Sequence, residues 1–238
     1  MSAGAIGAVE AIREVDLVGT IMVVSEESSM TYSRPLIGEY LCGNTPLEKM
    51  IYRSEDFWRL NRVKTSVRKK VDGIDLASKY VILGGDEKVY FEKLLIATGS
   101  KPIMGDIDGK DKDGVFTFTT LTDAEVLKAR IAETERAVII GGGLIGVCVA
   151  EAIATYGIET TIVELKETIL SLLLDATSSE IVTLKIKKEG INILTGHYVQ
   201  QIIGRNDNGN KVAAVILENG QVIPCDLVII AIGVKPRI

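Results

Sequence analysis

Two stretches of the chain carry the same order of patterns. Behind Gly4-Ala-Ile-Gly7, the residues Ala8, Val9, Ile12 and Val15 fall on or near one helical face. The run Thr20-Ile-Met-Val-Val-Ser then reads as a strand closing on Glu26. In the centre, an apolar run from Ala137 to Ile140 flows into Gly141-Gly-Gly-Leu-Ile-Gly146. A helical stretch follows with Ile145, Val149, Ile153 and Tyr156 on one face, and a second apolar run ends on Glu164. The centre therefore predicts strand, glycine turn, helix, strand. The N-terminus predicts the last three of these, with its first strand and first glycine missing.

The remaining pattern fills in around these units. Tyr32 to Gly43 predicts a loop and a short helix opened near Pro35 and stopped at Gly43. Asp56 to Asn61 predicts another helix. Alternation around 65–71, 73–76, 80–82 and 88–91 suggests a four-stranded meander, and Lys93 to Gly99 reads as a buried strand ending in Thr-Gly. Pro102 to Gly114, rich in Gly, Asp and Lys, reads as a linker. Beyond Glu164, the stretch 175–189 is amphipathic, strands are predicted near 191–194, 198–204, 211–217 and 221–223, and Asp226 to Gly233 is a second buried strand ending in glycine.

The central turn has a mechanical reading. Gly141 permits a tight turn, Gly143 lets the backbone approach a pyrophosphate, and Gly146 lets the helix pack on its strand. Gly142, Leu144 and Ile145 complete a turn whose free N–H groups and partial positive charge suit phosphate. Glu164 stands 18 residues beyond Gly146, placed to accept both ribose hydroxyls of an adenosine. A turn used only for packing leaves Glu164 unexplained. At the N-terminus Glu26 follows Gly7 by 19 residues, which suggests a second nucleotide unit. Because the chain opens inside that turn, Met1 reads as an artificial start or the edge of a fragment.

Composition narrows the chemistry. With 238 residues the chain can hold two ordinary domains, and 47% hydrophobic with 25% charged residues fits a globular α/β protein. A net charge of −5 argues against nucleic acid, no apolar run reaches membrane-spanning length, and the N-terminus lacks a basic n-region. Cysteines 42, 148 and 225 are scattered without a CxxC, which suits a reducing cytoplasm and gives no zinc or disulfide pattern. The single histidine, His197, reads as a surface or strand-end residue. With so few reactive side chains, a cofactor is expected to do the chemistry.

Three ordered motifs carry a family resemblance: Leu94-Leu-Ile-Ala-Thr-Gly-Ser-Lys-Pro102, Gly141-Gly-Gly-Leu-Ile-Gly146 and Val228-Ile-Ile-Ala-Ile-Gly-Val-Lys-Pro236. Across essentially its whole length the chain resembles the flavin-dependent pyridine nucleotide–disulfide oxidoreductases. Tyr32-Ser-Arg-Pro-Leu-Ile-Gly-Glu-Tyr-Leu41 is similar to the branch of NADH oxidases, rubredoxin and ferredoxin reductases and the flavin part of nitrite reductases. The resemblance implies two Rossmann-like, three-layer α/β domains, the NAD domain inserted in the FAD domain. Residues 1–108 would form an incomplete FAD-binding domain, 109–235 the NAD(P)H-binding domain, and 236–238 the return to the first. Ser2, Ala3, Gly4 and Ala5 would line the FAD pyrophosphate, Glu26 its ribose, and Arg34, Thr98 and Gly99 its border. Gly141 to Gly146, Glu164 and Gly233 would frame NADH. The glycine register stays open: the resemblance aligns Ser2 and Ala5 with the second and third glycines, whereas spacing favours Gly4 and Gly7.

The resemblance also implies a second FAD segment and an interface domain beyond Ile238, so this stretch is expected to bind NADH better than FAD. Cys148 stands where many relatives carry a glutamate, and Gly38 where some ferredoxin-reductase relatives place a lysine. Cys42-Gly43 superficially resembles the redox Cys-Gly of NADH oxidases, but Cys42 lies 16 residues past Glu26, late on its helix. The leading expectation is an FAD-dependent NADH oxidoreductase passing electrons to a small-molecule or redox-protein acceptor, the whole protein being a possible homodimer. The alternatives are an NADH-binding sensor without turnover and a thiol–disulfide reductase using Cys42.

Overall fold

The computed structural model describes residues 2–27, 31–205 and 209–238. Met1, whose status as a start was questioned above, lies outside them. In chain order the elements begin with α1 (Ala3–Val15), β1 (Ile21–Ser25), a 3-10 turn (Arg34–Leu36), α2 (Ile37–Leu41), α3 (Leu47–Met50) and α4 (Phe57–Leu60). Then come β2 (Val63–Val67), β3 (Val71–Asp75), β4 (Tyr80–Leu83), β5 (Glu87–Tyr90), β6 (Ser100–Pro102) and β7 (Val115–Phe116). Helix α5 (Leu121–Ile131), β8 (Arg136–Ile140), α6 (Leu144–Ala154), β9 (Glu159–Glu164) and α7 (Ala176–Lys188) form the centre. The chain ends with β10 (Asn192–Thr195), β11 (Val199–Gly204), β12 (Val212–Leu217), β13 (Val222–Pro224), β14 (Leu227–Ile230) and β15 (Val234–Pro236). No helix among the described residues is long and apolar enough to cross a membrane.

Contacts divide the chain into two units: residues 1–33, 47–99 and 238, and residues 34–46 with 100–237. This division falls at 99/100 rather than at 108/109, and it places the short helix α2 in the second unit.

The second unit is built on a parallel sheet ordered β10-β9-β8-β14-β7. Its central strands are buried on both faces, as strands covered on two sides must be: Ala137, Val138, Ile139 and Ile140 of β8 and all four residues of β14 are buried. One face meets the antiparallel sheet β11-β12-β13 through Val138, Ile140, Val163, Val228 and Ile230 against Val199, Ile202, Val215 and Leu217. Helix α6 packs on the opposite face, where Gly146 lies over Ile139. Going outward from β8, the chain runs to β9 and β10 on one side and returns to β14 on the other. The order therefore reverses between β8 and β14, where open α/β sheets place their ligands.

Four expectations need correction. The apolar segment 93–99 forms no strand, and Leu94, Leu95 and Ile96 are exposed; no ladder of the described residues includes them, so apolarity alone did not bury them. The first of the supposed meander strands pairs parallel with β1, from Ile21 opposite Val63 to Ser25 opposite Val67. Val63 and Val67 pack toward Ile6, Val9, Phe57 and Trp58, leaving β3-β4-β5 as the meander. Third, 102–114 is docked rather than a free linker: Ile107 is buried in the core, and Asp108 and Asp113 bridge to Gln201 and Lys211. Fourth, the closing run 226–233 ends its ladder at Ile230, and a separate strand β15 pairs antiparallel with β6. Helix α5, with no element predicted in its place, starts from a capping box in which Thr120 and Asp123 satisfy each other's backbone N–H.

Candidate functional site

The end of β8 leads into the glycine turn, and each glycine there has a distinct steric reason. Gly141 takes φ +109, and a Cβ on it would stand 2.5 Å from the Ala231 carbonyl oxygen. A Cβ on Gly146 would overlap the Gly141 carbonyl oxygen, so the third glycine lets α6 close on the turn. A Cβ on Gly142 would meet Ile169 at 2.8 Å and Glu164 at 3.1 Å. Gly143 differs: a Cβ there would meet nothing within 4 Å, and the residue is exposed. The three crowded glycines shape the loop, and Gly143 leaves its outer side open.

The start of α6 is also chemically distinct. Helices α1, α5 and α7 are each capped by a side-chain oxygen, from Ser2, Thr120 and Asp175. Helix α6 begins on Gly143 with no side-chain cap. Its first-turn N–H groups thus have no side-chain cap at the positive end of the helix dipole, an arrangement that fits a pyrophosphate. Leu144 is exposed and Ile145 half-buried at the same turn. Gly233, at φ +125, follows the end of β14, and Ala231 N donates to Ile140 O at 2.8 Å, so the two glycine-bearing strand ends lie side by side.

Glu164 closes β9 beside this turn. Its carboxylate accepts from Gly142 N at 2.5 Å and from Lys166 N at 2.7 Å, so both oxygens are oriented by backbone donors. Each oxygen retains a further lone-pair direction for a hydroxyl. The segment after β9, unmarked by any motif, supports the turn from outside. Leu170 N donates to Gly142 O at 2.8 Å, Ile169 is fully buried, and the buried Ser179 hydroxyl donates to Ile169 O at 2.7 Å. Leu170 holds φ +53, uncommon for a bulky residue, and no sequence signal marks it.

In the first unit, Ser2 is the N-cap of α1. Its hydroxyl accepts from Ala5 N at 3.2 Å and donates to Ala97 O at 3.1 Å, which brings the helix start against the residue before Thr98 and Gly99. Matched by helix start, Ser2 and Ala5 correspond to Gly143 and Gly146, whereas Ala3, Gly4 and Gly7 lie inside the helix. Glu26 is exposed just past β1. Gly99 has φ +68. Arg34 falls in the second unit, where its guanidinium donates to Thr119 O at 2.8 Å. The first unit by itself thus carries a helix start at Ser2, an acid at Glu26 and a glycine turn at Gly99.

The cysteines occupy quiet settings. Helix α2 lies against α6 with Cys148 Sγ filling the space a Cβ on Gly38 would need, and the Tyr156 hydroxyl donates to Leu41 O. Cys42 is the C-cap of α2. Burial, then the Glu39 carboxylate, pushes its thiol up, and burial followed by Glu151 does the same to Cys148. Cys225 is fully buried, and burial with Asp226 beside it raises its thiol to about 12. All three cysteines are free, and no group of three metal-ligating side chains occurs among the described residues.

The chain is similar to known proteins over almost its whole length. The chain is 31% identical over 236 residues to the epsilon subunit of NADH-dependent phenylglyoxylate dehydrogenase from Aromatoleum evansii, covering 99% of this chain and 55% of that one. It is 28% identical over 228 residues to rubredoxin-NAD(+) reductase from Pseudomonas putida, covering 95% and 58%. A crystal structure of the covalent putidaredoxin reductase–putidaredoxin complex superposes with a TM-score of 0.89 at 26% identity, covering 97% of this chain and 57% of that one. The chain spans a little over half the length of these relatives. The family profile for pyridine nucleotide-disulphide oxidoreductase matches residues 2–238, and the chain belongs to that family.

Proposed function

We propose that the chain forms the nucleotide-binding part of an FAD-dependent NADH oxidoreductase that delivers electrons to a redox protein. The observation that carries this is the uncapped turn Gly141–Gly146 with the Glu164 carboxylate clasped beside it. Gly143 and the first turn of α6 would hold the NADH pyrophosphate, Glu164 the adenosine ribose, and Gly233 the nicotinamide side of the same crevice. In the first unit, Ser2 to Ala5, Glu26, Thr98 and Gly99 would hold FAD, which when bound would supply a ring able to take a hydride and give up electrons one at a time. A redox-protein acceptor is favoured because relatives are named for rubredoxin and ferredoxin. A cytoplasmic location belongs to the same proposal and rests on the scattered cysteine pattern of the sequence. The raised thiol of Cys42 supplies little thiolate and does not favour thiol–disulfide exchange at that residue.

NADH should be preferred to NADPH, because Glu164 repels a 2′-phosphate and Leu165-Lys166-Glu167 offers no arginine clamp. The test is anaerobic reduction of the flavin in the full-length protein by each nucleotide. The expected result is a yellow protein reduced more efficiently by NADH than by NADPH. A colourless protein that still binds NADH would point to a sensor, and equal use of NADPH would take Glu164 out of the ribose site.

A further inference from the structure

The chain's one histidine stands directly behind Glu164. His197 Nδ1 lies 2.8 Å from Glu218 Oε1, and the other oxygen of that carboxylate accepts from Tyr198 N at 3.0 Å. One carboxylate therefore fixes both the ring of residue 197 and the peptide that follows it. The peptides just before it clamp the acid turn: His197 N donates to Glu164 O at 3.1 Å and Gly196 N to Lys166 O at 2.9 Å. The strands bring these parts together, since Thr195, the last residue of β10, pairs with Glu164, the last of β9. The ring and its partner carboxylate are both half-buried, so the pair is partly shielded from water.

From this relay we infer that His197 and Glu218 are positioning residues for the nucleotide: they hold the backbone of 164–166, and through it the Glu164 carboxylate, at the adenosine ribose. The inference rests on the reading of Glu164 as the ribose acceptor. The carboxylate is aimed by Gly142 N and Lys166 N, and Lys166 is one of the two residues whose carbonyls the 196–197 turn holds. Loosening that turn frees Lys166 N to drift and misdirects one carboxylate oxygen, without touching the glycine turn that holds the pyrophosphate. The pair lies at the adenosine end, away from the reacting atoms, so it acts on affinity and on nucleotide choice rather than on hydride transfer.

The test is titration of the full-length protein with NADH and with NADPH, alongside steady-state kinetics, for His197→Ala, Glu218→Ala, the double variant and His197→Asn. Each alanine variant should weaken NADH by about five- to tenfold, the scale of one net hydrogen bond. NADPH should weaken less, so the preference narrows, KM should rise and kcat should stay. The double variant should lose no more than either single one, because both break the same link. Asn, whose side-chain nitrogen replaces Nδ1, should restore affinity. Glu164→Ala separates the two levels of the argument. If it leaves NADH affinity unchanged, the ribose reading fails; if it weakens NADH while His197→Ala and Glu218→Ala do not, the positioning role alone is overturned. A fall in kcat at constant KM would also overturn it.

Discussion

Helices α1 and α6 begin alike in sequence and differ in what their first turns are for. Helix α6 starts on a bare glycine, packed so that Gly141 and Gly146 admit no side chain while Gly143 faces open space. Helix α1 starts on Ser2, whose hydroxyl spends itself on Ala5 N and Ala97 O, and its glycines carry no comparable load. A Cβ on Gly4 would touch Ala97 at an ordinary 3.6 Å, and one on Gly7 would meet nothing within 4 Å. Glycine in a turn thus has three separate meanings: a left-handed bend, a close backbone approach, or mere tolerance. Only the first two identify a ligand loop.

The contrast is broken most severely at Gly146. Gly146→Ala sets a methyl against a backbone carbonyl that cannot step aside without moving β8 or α6. The expected cost is about 1–3 kcal/mol of stability, with a loss of NADH affinity of tenfold or more on the order of what a misplaced binding group costs. Thermal melts and NADH titration of the same preparation measure both. Unchanged affinity would mean that the turn is not the pyrophosphate site.

The difference between the helix starts also shows what the sequence could and could not reveal. Local steric logic was legible: the strand, turn, helix and acid of 136–164 stand where their pattern placed them, because each depends on neighbours a few residues away. At the N-terminus two readings of the register diverge: the interval to the acid, 19 residues against 18, favours Gly7, whereas the helix starts align Ala5 with Gly146, and α1 runs 13 residues against 11 in α6. The apolar run 94–96 was indistinguishable from a core strand, because burial depends on partners rather than on composition. The supports of Glu164 were invisible for a like reason. Leu170 and Gly196 act through backbone N–H groups, and Glu218 reaches His197 across 21 residues, so no spacing rule marks them.

A milder test lies on the outward faces of the two helices. In α1, Glu10 meets Arg53 at 2.8 Å. In α6, burial first, then Glu189 and Glu39, raises the Glu151 carboxyl, and Lys185 opposes this only in part. A carboxylate with a raised folded-state pKa favours the fold while protonated and loses that contribution as pH rises through the folded value. Glu151→Gln should therefore raise Tm at neutral pH, with the gain shrinking as pH falls toward the carboxylate range. Melting curves of both proteins from acid to neutral pH measure this. A gain that stays constant across the series would show that charge is not its source.

The smallest effect, and the one of opposite sign, is expected at Gly7. The residue lies inside α1, in the turn after the one Ser2 caps, and the space above it is open to at least 4 Å. Glycine in a helix interior costs roughly 0.5–1 kcal/mol relative to alanine, because the unfolded chain has more backbone freedom to lose. Gly7→Ala adds a methyl that meets no atom of the described residues, so nothing offsets that gain. Tm should rise by about 1–3 °C, the shift such an energy makes in a chain of this length. NADH affinity should not move, because the substitution lies outside the unit that holds Gly141–Gly146. The same chemical change, glycine to alanine on the first turns of a nucleotide-type helix, is thus expected to stabilise α1 and to cripple α6. A fall in Tm for Gly7→Ala would show that the face above Gly7 is filled in the folded protein, and that the tolerance read here belongs to neither helix.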